Sequence, residues 1–345
     1  MLVVLTTAVV GAGVLAMLWR ARGIFPAAGA NGELSKEDQQ WAAKLAPAVE
    51  KLRPLHQRLG KPQAGDWRAG PGRLERGQTF GQYLACRPVT PRGRRNTLYI
   101  QPLGEFTKTQ RKIVTLTADF MGPYFNTPVK VQEDLPLSII PRQARRTHPS
   151  WGVKQILTTY VLDSVLKPRL PKDAAAYLAL TPSDLWPGKG WNFVFGQASL
   201  RERVGVWSIY RNGDPDKDEA SFRLCLLRTL KTATHETGHM FSMRHCIAYE
   251  CNMCGSNHRV ESDRRPLALC PECMAKVCWA ARIDPLRRYA KLSAFCKANG
   301  LAAEAESYGK SIRALGGTPP EDSPRKAKAA PTMDKPHAPG KARSR

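Results

Sequence analysis

The stretch H-E-T-G-H-M-F-S-M-R-H, His235 to His245, decides how the rest of the chain is read. His235 and His239 are four residues apart. On a helix that spacing puts both imidazoles on one face, one turn apart, within reach of a single ion. The residues before them favour a helix: Phe222, Leu226, Leu230 and Ala233 recur at three- and four-residue intervals as an apolar stripe. Zinc takes tetrahedral N, O or S ligands, so two helical histidines supply two corners. Glu236 follows His235 directly and projects beside the ion, where it can act as a general base. His245 cannot share that face of an unbroken helix, so the chain must turn before it can serve as the third ligand. The fourth position is left for water, which the metal acidifies. The stretch therefore predicts metal ligands His235, His239 and His245, with Glu236 as the catalytic base of a zinc-dependent hydrolase acting on peptide bonds. A chance H-E-x-x-H on an ordinary amphipathic helix accounts for neither the third histidine nor the cysteines clustered after it.

The chain holds nine cysteines, most of them between Cys246 and Cys278. A disulfide scaffold would spread its cysteines along a shorter chain; clustering fits a metal site in a reducing compartment. Spacing alone pairs Cys251-x-x-Cys254 with Cys270-x-x-Cys273 as two zinc knuckles and leaves Cys246 free. Cys225, Cys278 and Cys296 fall at apolar helical positions and read as buried core thiols.

His235 to Cys273 closely resembles the archaemetzincins. Gly255-Ser-Asn-His-Arg, Asp263-Arg-Arg-Pro-Leu, Asp184-Leu-Trp-Pro and Trp191-Asn-Phe-Val-Phe-Gly-Gln-Ala-Ser also look like that family, so the resemblance runs over residues 96 to 280. It implies two Zn2+ per chain: a catalytic ion on the three histidines and a structural ion on Cys246, Cys251, Cys270 and Cys273. Cys254 stays the alternative to Cys246, and either closed four-thiolate site leaves no position for water. Met253 matches the family's C-x-M methionine, similar to the methionine turn beneath the metal in metzincins. The metzincin pattern has glycine where this chain has Ser242, and a serine in a left-handed turn costs about 1 kcal/mol. In metzincin-like folds an edge strand above the zinc pairs with an extended peptide. Trp191–Ser199 is expected to be that strand, with Trp191, Asn192, Phe193 and Phe195 in substrate binding.

Outward from the motif, strand-like runs at Thr97–Leu103, Val129–Val131, Ala174–Leu180, Asn192–Leu200 and Val204–Tyr210 alternate with helical ones at Thr107–Phe125, Trp151–Leu166 and Ser221–Phe241. Pro285–Ala298 and Leu301–Leu315 read as two packed helices. The fold class is α/β (α+β), a mixed twisted sheet covered by helices. The resemblance makes it zincin- or metzincin-like, with the active-site helix followed by a small four-cysteine zinc subdomain and C-terminal helices. Residues 96–315 are expected to form the catalytic domain. Residues 25–95 read as a helical and linker region: Ser35–Leu59 is helical, and Gly60–Gln78, rich in Gly, Pro and Arg, is a linker. Residues 316–345 form a basic, proline-rich tail too poor in apolar residues to fold.

Leu2–Trp19 is an apolar run followed by Arg20 and Arg22. Residues 1–24 read as a transmembrane anchor or a signal segment. The flanking arginines favour a single-pass anchor with the catalytic domain cytoplasmic; the alternative is export after cleavage. The net charge is +24, from 53 Lys+Arg against 29 Asp+Glu. No RNA-binding signature accompanies it, so nucleic acid is not an expected partner. The expected partners are a peptide or protein substrate and, through the N-terminal segment, a membrane. Two other functions are weighed against the peptidase. A catalytically weak zinc scaffold that binds peptides or partners leaves an intact base and ligand set without purpose. A nucleic-acid-binding zinc module leaves the histidine triad unexplained.

Overall fold

The computed structural model describes residues 34–70 and 75–321. In chain order its elements are α1 (Lys36–Leu52), α2 (Phe80–Ala85), β1 (Thr97–Pro102), α3 (Lys108–Phe125), β2 (Val129–Val131), β3 (Arg145–Thr147), β4 (Lys154–Leu157), α4 (Thr158–Tyr160), β5 (Ala174–Thr181), β6 (Asp184–Trp186), β7 (Gly196–Ala198), β8 (Val204–Ser208), α5 (Glu219–Met240), α6 (Arg259–Arg264), α7 (Pro271–Ala281), α8 (Pro285–Ala298) and α9 (Ala302–Ala314). The main sheet has the order β2-β1-β5-β8-β7. Its first four strands are parallel, and β7 closes one edge antiparallel to β8. A smaller sheet, β3-β4-β6, is hydrogen-bonded separately from it. This is the mixed α/β sheet with covering helices that the sequence pattern predicts.

The central strands show why. β1 and β5 are buried along their whole length, as parallel strands with both faces covered must be. The two-residue alternation sends Leu98, Ile100, Leu178, Leu180 and Trp207 to the face that packs on α3, α5 and α7. Tyr99, Tyr177, Ala179, Val204 and Val206 go to the other face, against Val161, Leu162, Val165 and Leu166, a wide helical turn that continues α4. The caps are local. Thr107 and Gln110 make a capping box at α3, and the Asp218 carboxylate accepts from the Ser221 N–H at the start of α5.

The structure departs from the sequence expectation in places. Trp151–Leu166 is not one helix: its first half is β4, because buried Gln155 donates to Asp184 (2.7 Å) and to the Asn192 carbonyl (2.9 Å) across the small sheet. A short apolar run carries no period strong enough to separate the two forms. The strand expected over Asn192–Leu200 shrinks to Gly196–Ala198. Arg146 holds the carbonyls of Trp191 and Asn192 at 2.9 and 2.8 Å, which fixes those residues to the small sheet.

The single-pass membrane anchor, and the cytoplasmic localisation argued from it, are corrected. Among the described residues no helix is long and apolar enough to cross a membrane. The longest, α5, spans 22 residues but carries Glu219, Arg223, Arg228, Lys231 and Glu236, charges that a bilayer core excludes. Leu2–Trp19, on which the expectation rested, lies outside the described residues, as does most of the 316–345 tail.

Candidate metal centres

His235 and His239 project from the last two turns of α5. The helix then ends in a Schellman cap: the Ser242 N–H donates to the His239 carbonyl (2.8 Å) and the Met243 N–H to the Gly238 carbonyl (3.0 Å). Ser242 occupies the left-handed position, with φ 65°. Its hydroxyl accepts from the Val89 N–H (3.1 Å) and donates to the Leu200 carbonyl (3.0 Å), two bonds that a glycine could not make. This turn redirects the chain so that His245 comes back towards the helix. One ligand atom of each of His235, His239 and His245 lies within 4.8 Å of the others.

The outward nitrogens fix which atoms converge. His235 Nδ1 is 2.7 Å from the Asn252 carbonyl and His239 Nδ1 is 2.7 Å from the Met243 carbonyl. Carbonyls only accept, so each Nδ1 carries the proton and each Nε2 presents a lone pair. His235 Nε2 and His239 Nε2 lie 3.0 Å apart, against about 3.3 Å for two nitrogens on one tetrahedral zinc. Burial first, then the charge of His245, push the His235 imidazole down to about 4. Burial holds His239 well below its ordinary value too. Both rings are thus neutral at neutral pH, the form that binds metal. The third outward nitrogen, His245 Nδ1, meets a carboxylate: Glu75 Oε1, at 2.5 Å. The donor set fits zinc.

Glu236 lies beside this cluster, 6% exposed. Burial alone pushes its carboxyl up to about 8, and a neighbouring dication works in the opposite direction. β7 runs across it. A Cβ on Gly196 would stand 2.6 Å from Glu236 Oε1, so only glycine lets the strand come so near. Among the described residues, the outer side of β7 carries no further strand in the main sheet. Of the neighbouring residues, Trp191 stacks on Trp67 (centroids 6.3 Å). Phe193 lies under Arg211 (3.7 Å) and Phe195 under Arg259 (4.0 Å). Asn192 is engaged through its carbonyl with Arg146 and Gln155.

Beneath the helix, Met253 packs against Gly238: a Cβ there would meet Met253 Sδ at 2.6 Å. One residue earlier, the Asn252 side chain donates to Thr234 Oγ1 (2.8 Å) and to the Lys231 carbonyl (3.2 Å), which aims the Asn252 carbonyl at His235.

The structure brings Cys246, Cys251, Cys270 and Cys273 together, all buried, with ligand atoms within 4.8 Å of one another. Cys246 Sγ and Cys270 Sγ are 3.8 Å apart, against about 3.8 Å for two thiolates on a tetrahedral zinc. The Cys270 N–H (3.2 Å) and the Met253 N–H (3.5 Å) donate to Cys251 Sγ, as they would to a thiolate. Cys270 caps α7 and Cys273 lies in its first turn, where the helix dipole favours negative charge. Cys254 stands outside this group and donates to the Tyr249 carbonyl (3.2 Å). A third cluster, Asp66, His258 and Glu261, has its charge already met. Arg264 grips both Asp66 oxygens (2.6 and 2.8 Å), and Arg265 reaches Glu261 (3.3 Å).

Sequence reasoning missed Glu75, Trp67 and Asn252. Glu75 and Trp67 fall in the stretch read as a linker. Asn252 lies inside the cysteine motif, but its part is played by a backbone carbonyl that no side-chain pattern reveals. The one available signal was Gly196, the single glycine within Trp191–Ser199.

Residues 164–278 match the family model described as peptidase family M54. Archaemetzincin-2 of Homo sapiens is 35% identical over 233 residues, an alignment that covers 59% of this chain and 64% of the human protein. The chain thus spans a little under two thirds of that relative. The archaemetzincin of Archaeoglobus fulgidus is 31% identical over 180 residues, covering 52% of this chain and 98% of that protein. Among solved structures, the archaemetzincin of Methanopyrus kandleri is 28% identical, covers 56% of this chain and 99% of its own, and superposes with a TM-score of 0.44. This chain belongs to the archaemetzincin family, peptidase family M54.

Proposed function

We propose that the chain is a zinc-dependent peptidase in which His235, His239 and His245 hold a catalytic zinc, Glu236 is the general base, and Cys246, Cys251, Cys270 and Cys273 hold a second, structural zinc. One observation carries the reading. All three histidines have Nδ1 engaged on the outside and Nε2 free to converge, directly beside a buried carboxylate. A bound zinc supplies Lewis acidity, polarising the scissile carbonyl and lowering the pKa of water.

The protein's own groups do the rest. Glu236 takes the proton of the attacking water and returns it to the leaving amine. Gly196 leaves room for that carboxylate under β7. The open edge of β7 offers backbone donors and acceptors to an extended peptide, the usual mode of strand addition, and Trp191, Asn192, Phe193 and Phe195 stand along its approach. Cys246, together with Cys251, Cys270 and Cys273, would hold the second ion, which would tie Cys246 to α7 and steady His245, one residue before it.

The test counts metal per chain and assays a peptide library with the parent and Glu236→Gln. Two zinc ions per chain, with cleavage reduced about 10²–10⁴-fold in the variant, is the expected result. Two ions and no cleavage by the parent would make the chain a peptide-binding scaffold instead.

A further inference from the structure

The three outward histidine nitrogens are not supported alike. Two meet neutral backbone carbonyls from residues close in sequence, Met243 and Asn252. The third, His245 Nδ1, meets Glu75, 170 residues away and outside the family-model match of residues 164–278. Glu75 opens a segment that laces the same turn from several sides. Gln78 Nε2 donates to the Ser242 carbonyl and Gln78 Oε1 accepts from the Arg244 N–H, both at 3.2 Å, so one side chain brackets the turn. Lys276 donates to the Gln78 carbonyl and ties the segment to α7. The Val89 N–H donates to the Ser242 hydroxyl. Upstream, the Leu59 N–H reaches the Ala248 carbonyl (3.2 Å) and the Gln57 carbonyl accepts from the Glu250 N–H (2.9 Å). Trp67 sets its ring edge against His245, with centroids 5.4 Å apart. The turn that carries His245 is thus clamped from residues 57–67 and 75–89.

We propose that Glu75 is a positioning residue for the catalytic metal: its carboxylate fixes the ring and tautomer of His245, and its charge strengthens that nitrogen as a ligand, so the N-terminal segment completes the site. A carboxylate behind a histidine ligand raises its basicity, where a neutral carbonyl only orients it. Glu75 is not itself a ligand, since it holds the nitrogen that faces away from the cluster. The inference rests on the three-histidine zinc reading above.

The experiment uses the full chain loaded with Zn2+ or Co2+ and compares the parent with Glu75→Gln and Glu75→Ala. Glu75→Gln keeps the size and an acceptor but removes the charge, so it guards against a variant that fails only by misfolding. In chelator competition the more weakly held ion is expected to dissociate about 10-fold more readily in Glu75→Gln and up to about 100-fold in Glu75→Ala. The cysteine-bound ion should be unchanged. With Co2+, the visible band of the nitrogen-ligated ion should shift while the thiolate charge-transfer band persists, which a merely structural loss would not produce. Parent-like affinity in both variants overturns the proposal. So does a parent that binds metal only at its cysteines, which would also remove the catalytic-zinc reading. A parent that binds both ions yet cleaves nothing sinks the peptidase alone, and the affinities still decide the part played by Glu75.

Discussion

The histidine and cysteine clusters adjoin in the chain, His245 beside Cys246, yet they are built in opposite ways. The cysteine cluster is wholly buried, whereas each histidine keeps partial exposure. All four cysteines, and the N–H groups that donate to Cys251, come from residues 246–273. The histidine cluster needs α5, the loop that returns through Asn252, and a strap from residues 57–67 and 75–89. A closed site assembled within one segment can act as a folding nucleus for that segment. An open site must keep a face for solvent and substrate, so its rigidity has to be brought from elsewhere. Here much of it comes from the N-terminal segment and from the cysteine loop next door.

Removing one ligand from each cluster should separate a loss of stability from a loss of catalysis. Cys270→Ser should cost on the order of 5 kcal/mol and strip the structural ion, because that ion's binding energy is folding energy for its loop. His235→Ala should cost about 1 kcal/mol in the metal-free chain while abolishing catalytic metal binding and cleavage. Thermal melts with and without chelator, alongside metal counts by mass spectrometry, would check both. Equal losses of stability from the two variants would mean that the clusters do not divide labour in this way.

Two glycines let neighbours approach the histidine site closely, Gly196 from the substrate side and Gly238 from below. Gly196→Ala drives a methyl to within 2.6 Å of Glu236 Oε1. Glu236 Cδ and Cγ lie within 2.8 Å of it too, so the whole side chain of the base must shift, and turnover should fall about 10–100-fold, a larger effect than the accompanying loss of stability. Gly238→Ala meets Met253 Sδ at 2.6 Å beneath the helix. There the core must give way, so stability should fall by about 1–3 kcal/mol. Steady-state kinetics and urea unfolding on both variants would separate the two outcomes; matching profiles would sink the distinction.

How much of this was legible depends on distance along the chain. His235, Glu236, His239, His245 and the cysteines belong to one short stretch, and ligand chemistry dictates their residue types and spacing. Helix α5 follows from periodicity, and β5 from an unbroken apolar run that suits a strand buried on both faces. The supports did not show themselves, since Glu75 touches His245 across 170 residues and lies in a Gly-, Pro- and Arg-rich stretch. That composition suits a free linker and a packed irregular segment equally, and only tertiary contact tells them apart. The small sheet was hidden for a related reason: β3, β4 and β6 are three or four residues each, too short for a period, and buried Gln155 and Asp184 hold them.

Ser242 gives the smallest expected effect and the finest test of how the turn beneath the open site is held. Its left-handed backbone costs about 1 kcal/mol relative to glycine, while its hydroxyl makes two hydrogen bonds worth about 1 kcal/mol each. Val89 and Leu200, which supply the partners, are themselves only half-buried, so water recovers part of whatever is lost. Ser242→Gly relieves the strain and gives up the bonds, and should come out within about 1 kcal/mol of the parent. Ser242→Ala keeps the strain and gives up the bonds, and should cost about 1–2 kcal/mol. The expected order in urea unfolding is therefore serine at or above glycine, with alanine last. Should alanine match serine, the hydroxyl is idle and the turn is held by its Schellman bonds and Gln78 alone. If glycine exceeds serine by a full kcal/mol, the strap gives the open site no help through this residue, and the support of His245 reduces to Glu75 and Gln78.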